Sequence, residues 1–280
     1  MVGIPAALDI IFIWGPTLAS ILLSFTNWRG IGAITGANVV GLKNYIFLFT
    51  QYTLFWPALI HNLMWLGFFV FIASPIGIFF AVLLDREIRG SRLYQNIFYL
   101  PVVLSLAVVG FIWTLQYAPD GFIDSLFGWT TQTNTIDFLG NPKLNIWAVL
   151  IAASWRHVGY IMVLYLAGLK SVDPTLREAS AIDGASEVQT FFRVVFPVMA
   201  PINVVIVVVT VIESLRAFDI AFIINQGTNG LELLSTLITN NSLSEATLIG
   251  FGSSIAVVLL LISLVPIVLY LSRVMRSVSE

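Results

Sequence analysis

The sequence predicts an all-α membrane protein with six transmembrane helices. Three observations carry that expectation. Of 280 residues, 58% are hydrophobic and 10% charged, against about 25% charged in soluble domains, too few to clothe a water-exposed surface. Six stretches, roughly residues 4–25, 62–84, 95–117, 146–168, 201–223 and 250–272, are apolar throughout; about 20 such residues cross a hydrocarbon core of about 30 Å as a helix. Lipid offers no partner to a backbone N–H or C=O, so these stretches satisfy themselves only as helices.

Composition also excludes function classes. A net charge of −2 gives no electrostatic case for a nucleic-acid partner. There is no Cys, hence no disulfide, thiolate metal site or Cys nucleophile. His61 and His157 are far apart, without metal-ligand spacing. No GxxxxGK[ST] phosphate loop occurs, so the chain is not expected to hydrolyse ATP or to hold a cofactor of its own. Residues 1–280 read as a single transmembrane domain, with the lipid bilayer as solvent.

The first span, 4–25, has no basic flank and no small-residue cleavage site, and reads as a retained helix rather than a signal peptide. Its abrupt start at Met1 leads us to expect a preceding cytoplasmic tail. The loop 26–61 carries FTNW and GLKNYIFLF, an amphipathic piece suited to the membrane interface. Loop 118–145, with PDGFIDSLFGW and GNPK, is rich in turn formers. Loop 224–249 contains NQGTNG and is expected to be a mobile loop that touches an external partner. Pro75, Pro101 and Pro266 lie within spans and are expected to kink them.

Orientation follows from the basic residues in the loops. One side holds eight: Arg86, Arg89, Arg92, Lys170, Arg177, Arg193, Arg273 and Arg276. The other holds Arg29, Lys43 and Lys143. The richer side is expected to be cytoplasmic, with both termini and the loop 170–200.

That loop is the most informative stretch. Asp173 suits a helix N-cap and Pro174 the first helical position. Gly184 allows a sharp turn, and a second helix over about 185–195 presents Val188, Phe191, Phe192 and Val195 as one apolar stripe. Pro197 and Pro201 reset the chain before the fifth span. The expected result is a helix–turn–helix on the cytoplasmic face. A bland alternative is an amphipathic loop lying on lipid headgroups; ordering a rigid helix pair is costly unless its shape is used.

The loop resembles the coupling loop of binding-protein-dependent ABC importer permeases. The family pattern is EAA, three residues, Gly, nine residues, then I-x-L-P. Here it reads Glu178-Ala179-Ser180, three residues, Gly184, nine residues, then Val194-Val195-Phe196-Pro197. LSFTNW, GLKNY, RGSRLYQNIFYLP, LAGLKSVDP and FDIAFIINQGTNG resemble the carbohydrate-uptake branch of maltose- and glycerol-phosphate-type permeases. The resemblance implies a type I ABC importer permease fold with a cytoplasmic coupling helix in a bacterial or archaeal inner membrane. It also implies three kinds of protein partner: a second, homologous permease forming a heterodimer, two cytoplasmic ABC ATPase subunits that hold ATP-Mg, and an extracytoplasmic sugar-binding protein. Glu178, Ala179, Ser180, Asp183 and Gly184 would belong to the ATPase contact. Physically, small Ala179 and Ser180 permit close helix packing. Glu178 offers a charge to a basic group, or alternatively is a solvated carboxylate that suits the helix dipole.

Charges at membrane depth are expensive, about 2.5–3.5 kcal/mol on insertion scales. Arg156, Glu213 and Arg216 stand there, with Asp9 and Asp219 nearer span ends. Arg156 and Glu213 each lie about 15 Å from the outer edge at 1.5 Å per residue, so they match in depth and are able to pair. By alignment with maltose-type permeases, in which the fourth-span Trp corresponds to Trp155, the substrate lining would include Ser154, Arg156, His157, Tyr160, Thr210, Glu213, Ser214 and Ala217. Two readings stand for the charged pair: substrate lining, or a structural clamp between spans. For Thr210 and Ser214 the bland reading is helix packing.

The function expected is ATP-driven import of a sugar, a di- or oligosaccharide, by alternating access. Rival readings are the same machinery carrying a glycerol-phosphate-type substrate held by Arg156 and Arg216, a proton-coupled secondary transporter with Glu213 as relay, and a membrane-embedded enzyme.

Overall fold

The computed structural model describes residues 3–35, 38–86, 89–128, 136–243 and 247–279. Met1, Trp129 and residues 244–246 of the last outer loop lie outside them. Every extended element among the described residues is a helix: α1 Gly3–Leu23, α2 Lys43–Thr50, α3 Phe55–Asp85, α4 Ser91–Val103, α5 Leu106–Tyr117, α6 Phe122–Phe127, α7 Asn145–Leu169, α8 Pro174–Ile182, α9 Glu187–Val198, α10 Ala200–Leu215, α11 Asp219–Asn225, α12 Leu234–Ser242 and α13 Ile249–Ser279. Five stretches are long and apolar enough to cross a membrane. A sixth is supplied by α9 with α10–α11, bent by 80° at Met199, between the two expected prolines.

Helix α7 is the axis of the molecule. It is the most deeply buried of the candidate spans. Glycines bring its neighbours close: a Cβ on Gly77 of α3 would stand 2.8 Å from the Val158 carbonyl oxygen, and one on Gly159 would collide with the Phe98 carbonyl oxygen of α4. Small residues at helix crossings are how spans gain van der Waals contact when lipid is as apolar as they are. One core cluster gathers Trp65, Phe69, Val149, Leu150 and Ile220. A second, toward the hairpin, gathers Leu84, Tyr165, Leu169, Val195 and Met199. A third packs α12 and α13 against Phe55 and Leu48. By contrast α1 buries no residue, and only its second half meets the bundle, against α13.

Two expected spans are broken. The third, expected at 95–117, is interrupted where Leu104 and Ser105 turn extended; Ser105 Oγ accepts the Val108 N–H and starts α5 afresh. The fifth, expected as 201–223, stops at Leu215 and restarts at Asp219. Its freed carbonyls are satisfied from within: Asn62 Nδ2 donates to the Leu215 oxygen at 3.4 Å, and Ser235 Oγ donates to the Ala217 oxygen. Asn62 also accepts the Leu234 N–H at 2.9 Å, fixing the start of α12. Non-helical backbone at membrane depth is tolerated where protein or a cavity surrounds it, and the 216–218 break borders a cavity.

The outer loop 224–249, expected to be mobile, is in good part helical over its described residues. Leu231, Leu233, Leu234 and Leu237 are fully buried, and α12 packs on α13. Its apolar residues are spaced for burial, which the turn-forming NQGTNG obscures. His61 is half-buried, its Nδ1 2.9 Å from the Glu232 oxygen.

Candidate functional site

The polar cavity lies where α3, α7 and the α10–α11 break meet. It has a volume of about 200 Å³. Arg156 and His157 reach it from α7, Glu213 from the last turn of α10, Arg216 to Asp219 from the break, and Trp65 and Phe69 from α3. The helix break explains the charges: Arg216 caps the C-terminal end of α10 and Asp219 opens α11, the signs each helix terminus favours. Arg156 Nη1 lies 3.5 Å from Glu213 Oε2, so the expected pair forms. Arg156 Nε is enclosed without a partner.

Of the eight expected lining residues, the cavity gathers Arg156, His157, Glu213 and Ala217. The other four lie elsewhere. Thr210 is buried; its Oγ1 meets Ser74 Oγ at 3.1 Å and His157 Nε2 at 3.4 Å. Ser214 is buried and donates back to the Thr210 oxygen at 2.5 Å. Ser154 donates to the Ile151 oxygen at 2.8 Å, and Tyr160 packs beside the hairpin-side core. Small hydroxyls in a span satisfy themselves against the preceding turn, which the spacing alone did not distinguish from lining. His157 sits on the border: its ring rests 4.3 Å from that of Phe69, and Nε2 meets Ser74 Oγ at 3.1 Å. Sequence reasoning missed Trp65, Phe69, Phe218 and Asp219 as cavity walls; Asp219 at a span end was the available signal.

The second site is the hairpin α8–α9. Asp173 caps α8 by accepting the Thr175 N–H at 2.9 Å, and Pro174 takes the first position. The same backbone hydrogen bond, helped by a side-chain bond to Thr175, holds the Asp173 carboxyl below its ordinary value. Gly184 has φ +73°, and nothing crowds the position of a Cβ there, so conformation alone demands glycine. Ser186 and Gln189 form a reciprocal capping box that starts α9. Ser180 Oγ meets Thr190 Oγ1 at 2.8 Å, pinning the helices together. Ser180 is therefore buried between them, not on the outer surface where an ATPase contact would lie; its small size serves the packing. Glu178, Ala179, Asp183 and Gly184 are exposed. The expected stripe divides: Val195 is buried and Phe191 half-buried, while Val188 and Phe192 are exposed, as is Ile182.

A capped, glycine-turned helix pair in this chain position carries the spacing of the transport-system signature. Residues 73–277 match the sequence profile of the binding-protein-dependent transport system inner membrane component. The chain belongs to this family. Such permeases have no ATPase site of their own; partner subunits hydrolyse ATP. The permease is 33% identical to a probable ABC transporter permease of Pyrococcus horikoshii over 96% of this chain and 92% of that one. It is 32% identical to the xylose/arabinose import permease of Haloferax volcanii, covering 94% and 83%. It is 25% identical to the trehalose/maltose transport system permease of Thermococcus litoralis, covering 94% and 88%. Among solved structures, its fold matches a chain of a bacterial alginate ABC transporter, in complex with a pentasaccharide-bound periplasmic protein, with a TM-score of 0.83. Identity there is 22%, over 100% of this chain and 94% of that one. The fold is that of a type I ABC importer permease, embedded in the membrane by several helices.

Proposed function

We propose that the permease imports a neutral sugar, cycling between inward- and outward-open forms as ATPase subunits on the hairpin side close and separate. The observation that carries the cargo is the charge balance of the cavity. Arg156 and Arg216 face Glu213 and Asp219 across one space, with Trp65, Phe69 and Phe218 beside them. Paired charges offer donors and acceptors to hydroxyls without net attraction for an anion, and aromatic rings suit the C–H faces of a sugar. The same balance disfavours a phosphate-bearing cargo. Relatives named for xylose/arabinose, trehalose/maltose and starch degradation products support the sugar reading. Glu213 bound to Arg156 does not suit a lone proton relay.

The hairpin is the docking element for an ATPase subunit. Glu178 and Asp183 supply charge, Ile182, Val188 and Phe192 supply exposed apolar surface, and the pinned turn makes it move as a body. In this assembly ATP-Mg is held by two partner ATPases, a sister permease completes the pathway, and an external binding protein delivers the sugar. The hairpin and both termini are cytoplasmic on the count of basic residues. Gentle solubilisation followed by mass spectrometry tests the assembly. An ATPase, a second six-span permease and a solute-binding protein are the expected companions; a chain recovered alone contradicts the proposal.

A further inference from the structure

Two consecutive residues at the end of α3 are wired to the two halves of the hairpin. Asp85 Oδ2 lies 2.7 Å from Arg177 Nη1 of α8, and Arg86 Nη2 lies 2.6 Å from Glu187 Oε2 of α9. The two pairs border a cavity of about 290 Å³ between α3, α7 and the hairpin. Arg177 Nη2 also reaches the Leu169 oxygen at the end of α7, at 3.5 Å.

The pairs differ in kind. Arg86 and Glu187 side chains are 54% and 77% exposed, so water screens them. The Asp85 side chain is only 13% exposed. Asp85 is also the last residue of α3, where a carboxylate opposes the helix dipole. Helix stability gives no reason for an acid there; Arg177 does. The opposite signs of Asp85 and Arg86 fix a single register, because sliding the hairpin would set Arg177 against Arg86.

Helix α3 runs from this latch to the sugar cavity. Val82 and Asp85 line the hairpin-side cavity, and Trp65 and Phe69 line the polar one. From Asp85 to Phe69 is about 24 Å along the helix at 1.5 Å per residue. We propose that Asp85 and Arg177 are positioning residues that tie hairpin displacement to α3, with Arg86–Glu187 holding the register, so that ATPase movement reshapes the Trp65–Phe69 wall. This rests on the hairpin being the ATPase-docking element.

The test uses the complete complex in proteoliposomes, with maltose and xylose as probe sugars, and reads sugar imported per ATP hydrolysed. Asp85→Asn and Arg177→Gln are each expected to lower that ratio by about fivefold or more, within the usual span of coupling between sites, while ATPase subunits co-purify at the parent stoichiometry. The exchange Asp85→Arg with Arg177→Asp is expected to return the ratio to within about twofold of the parent, since it restores the pair. Single variants with the parent ratio, or an exchange no better than the singles, overturn the proposal. A parent preparation without an ATPase overturns the docking role of the hairpin, and the latch with it.

Discussion

Single residues carry the sharpest consequences. Gly184→Val forces a β-branched side chain to φ +73°, a strain of about 1–2 kcal/mol, and is expected to reduce the ATPase recovered with the purified complex; Gly184→Asn, which tolerates that backbone region, should reduce it less. Arg156→Ala removes the guanidinium that holds Glu213 and offers a free donor. It is expected to raise the KM for sugar uptake about tenfold, the loss of one charge-assisted hydrogen bond of about 1.5–3 kcal/mol, with assembly unchanged; an unaltered KM would make the pair a clamp only. How much of the site was legible depended on residue type. Charges at depth stood out against apolar spans, and Arg156 and Glu213 do meet. Hydroxyls did not discriminate: Thr210 and Ser214 share a helix with Glu213 yet turn to Ser74, His157 and their own backbone. Asn62, which ties two helix ends together, was silent because one amide in an apolar run looks like any other.

At the scale of elements, prolines within spans were expected to kink them, and three prolines are seated in a common way. Pro16, Pro75 and Pro197 each follow a π-helical turn: Ile10–Trp14, Phe69–Ala73 and Phe191–Val195. A proline ring collides with the carbonyl four residues earlier, and here that carbonyl falls inside the widened turn each time. The wider turn admits the ring, so α3 continues as one helix through Pro75. Pro101 lies two residues before α4 ends, while Pro266 lies within the continuous α13. Helix breaks were hidden for a related reason: hydropathy averages over a window and does not register one extended pair such as Leu104–Ser105 or the turn at 216–218. The hairpin, whose limits depend on capping residues and a turn glycine, was the most legible element. Its Asp173 cap gives a pH expectation. The folded carboxyl titrates below its ordinary 3.8, so its contribution is fully present above about that value and is lost as pH falls through the lowered one. Protection of the Thr175 amide, relative to its intrinsic exchange rate, is expected to be unchanged across neutral pH, lower in Asp173→Ala, and close to parental in Asp173→Asn, which also caps.

The whole molecule reads as a lever built around α7. The helices α3 and α4 lie against it through Gly77 and Gly159. Gly159→Ala is expected to separate α4 from α7 and lower the thermal stability of the purified complex by about 1–3 kcal/mol, the usual effect of overpacking. Six spans, an all-helical fold and one protruding hairpin were legible because the bilayer restricts the choices. The packing order was not, since every face of a membrane helix is apolar and periodicity has little to mark. The central claim is that ATP, acting through partners on the hairpin, drives a neutral sugar through the cavity beside Arg156 and Glu213. The most direct measurement is uptake of labelled sugar by proteoliposomes holding the co-purified complex and its binding protein, with ATP inside and with a proton uncoupler added. Uptake that needs ATP, survives the uncoupler and is not displaced by glycerol phosphate is the predicted result. Uptake without ATP that the uncoupler abolishes would contradict the account.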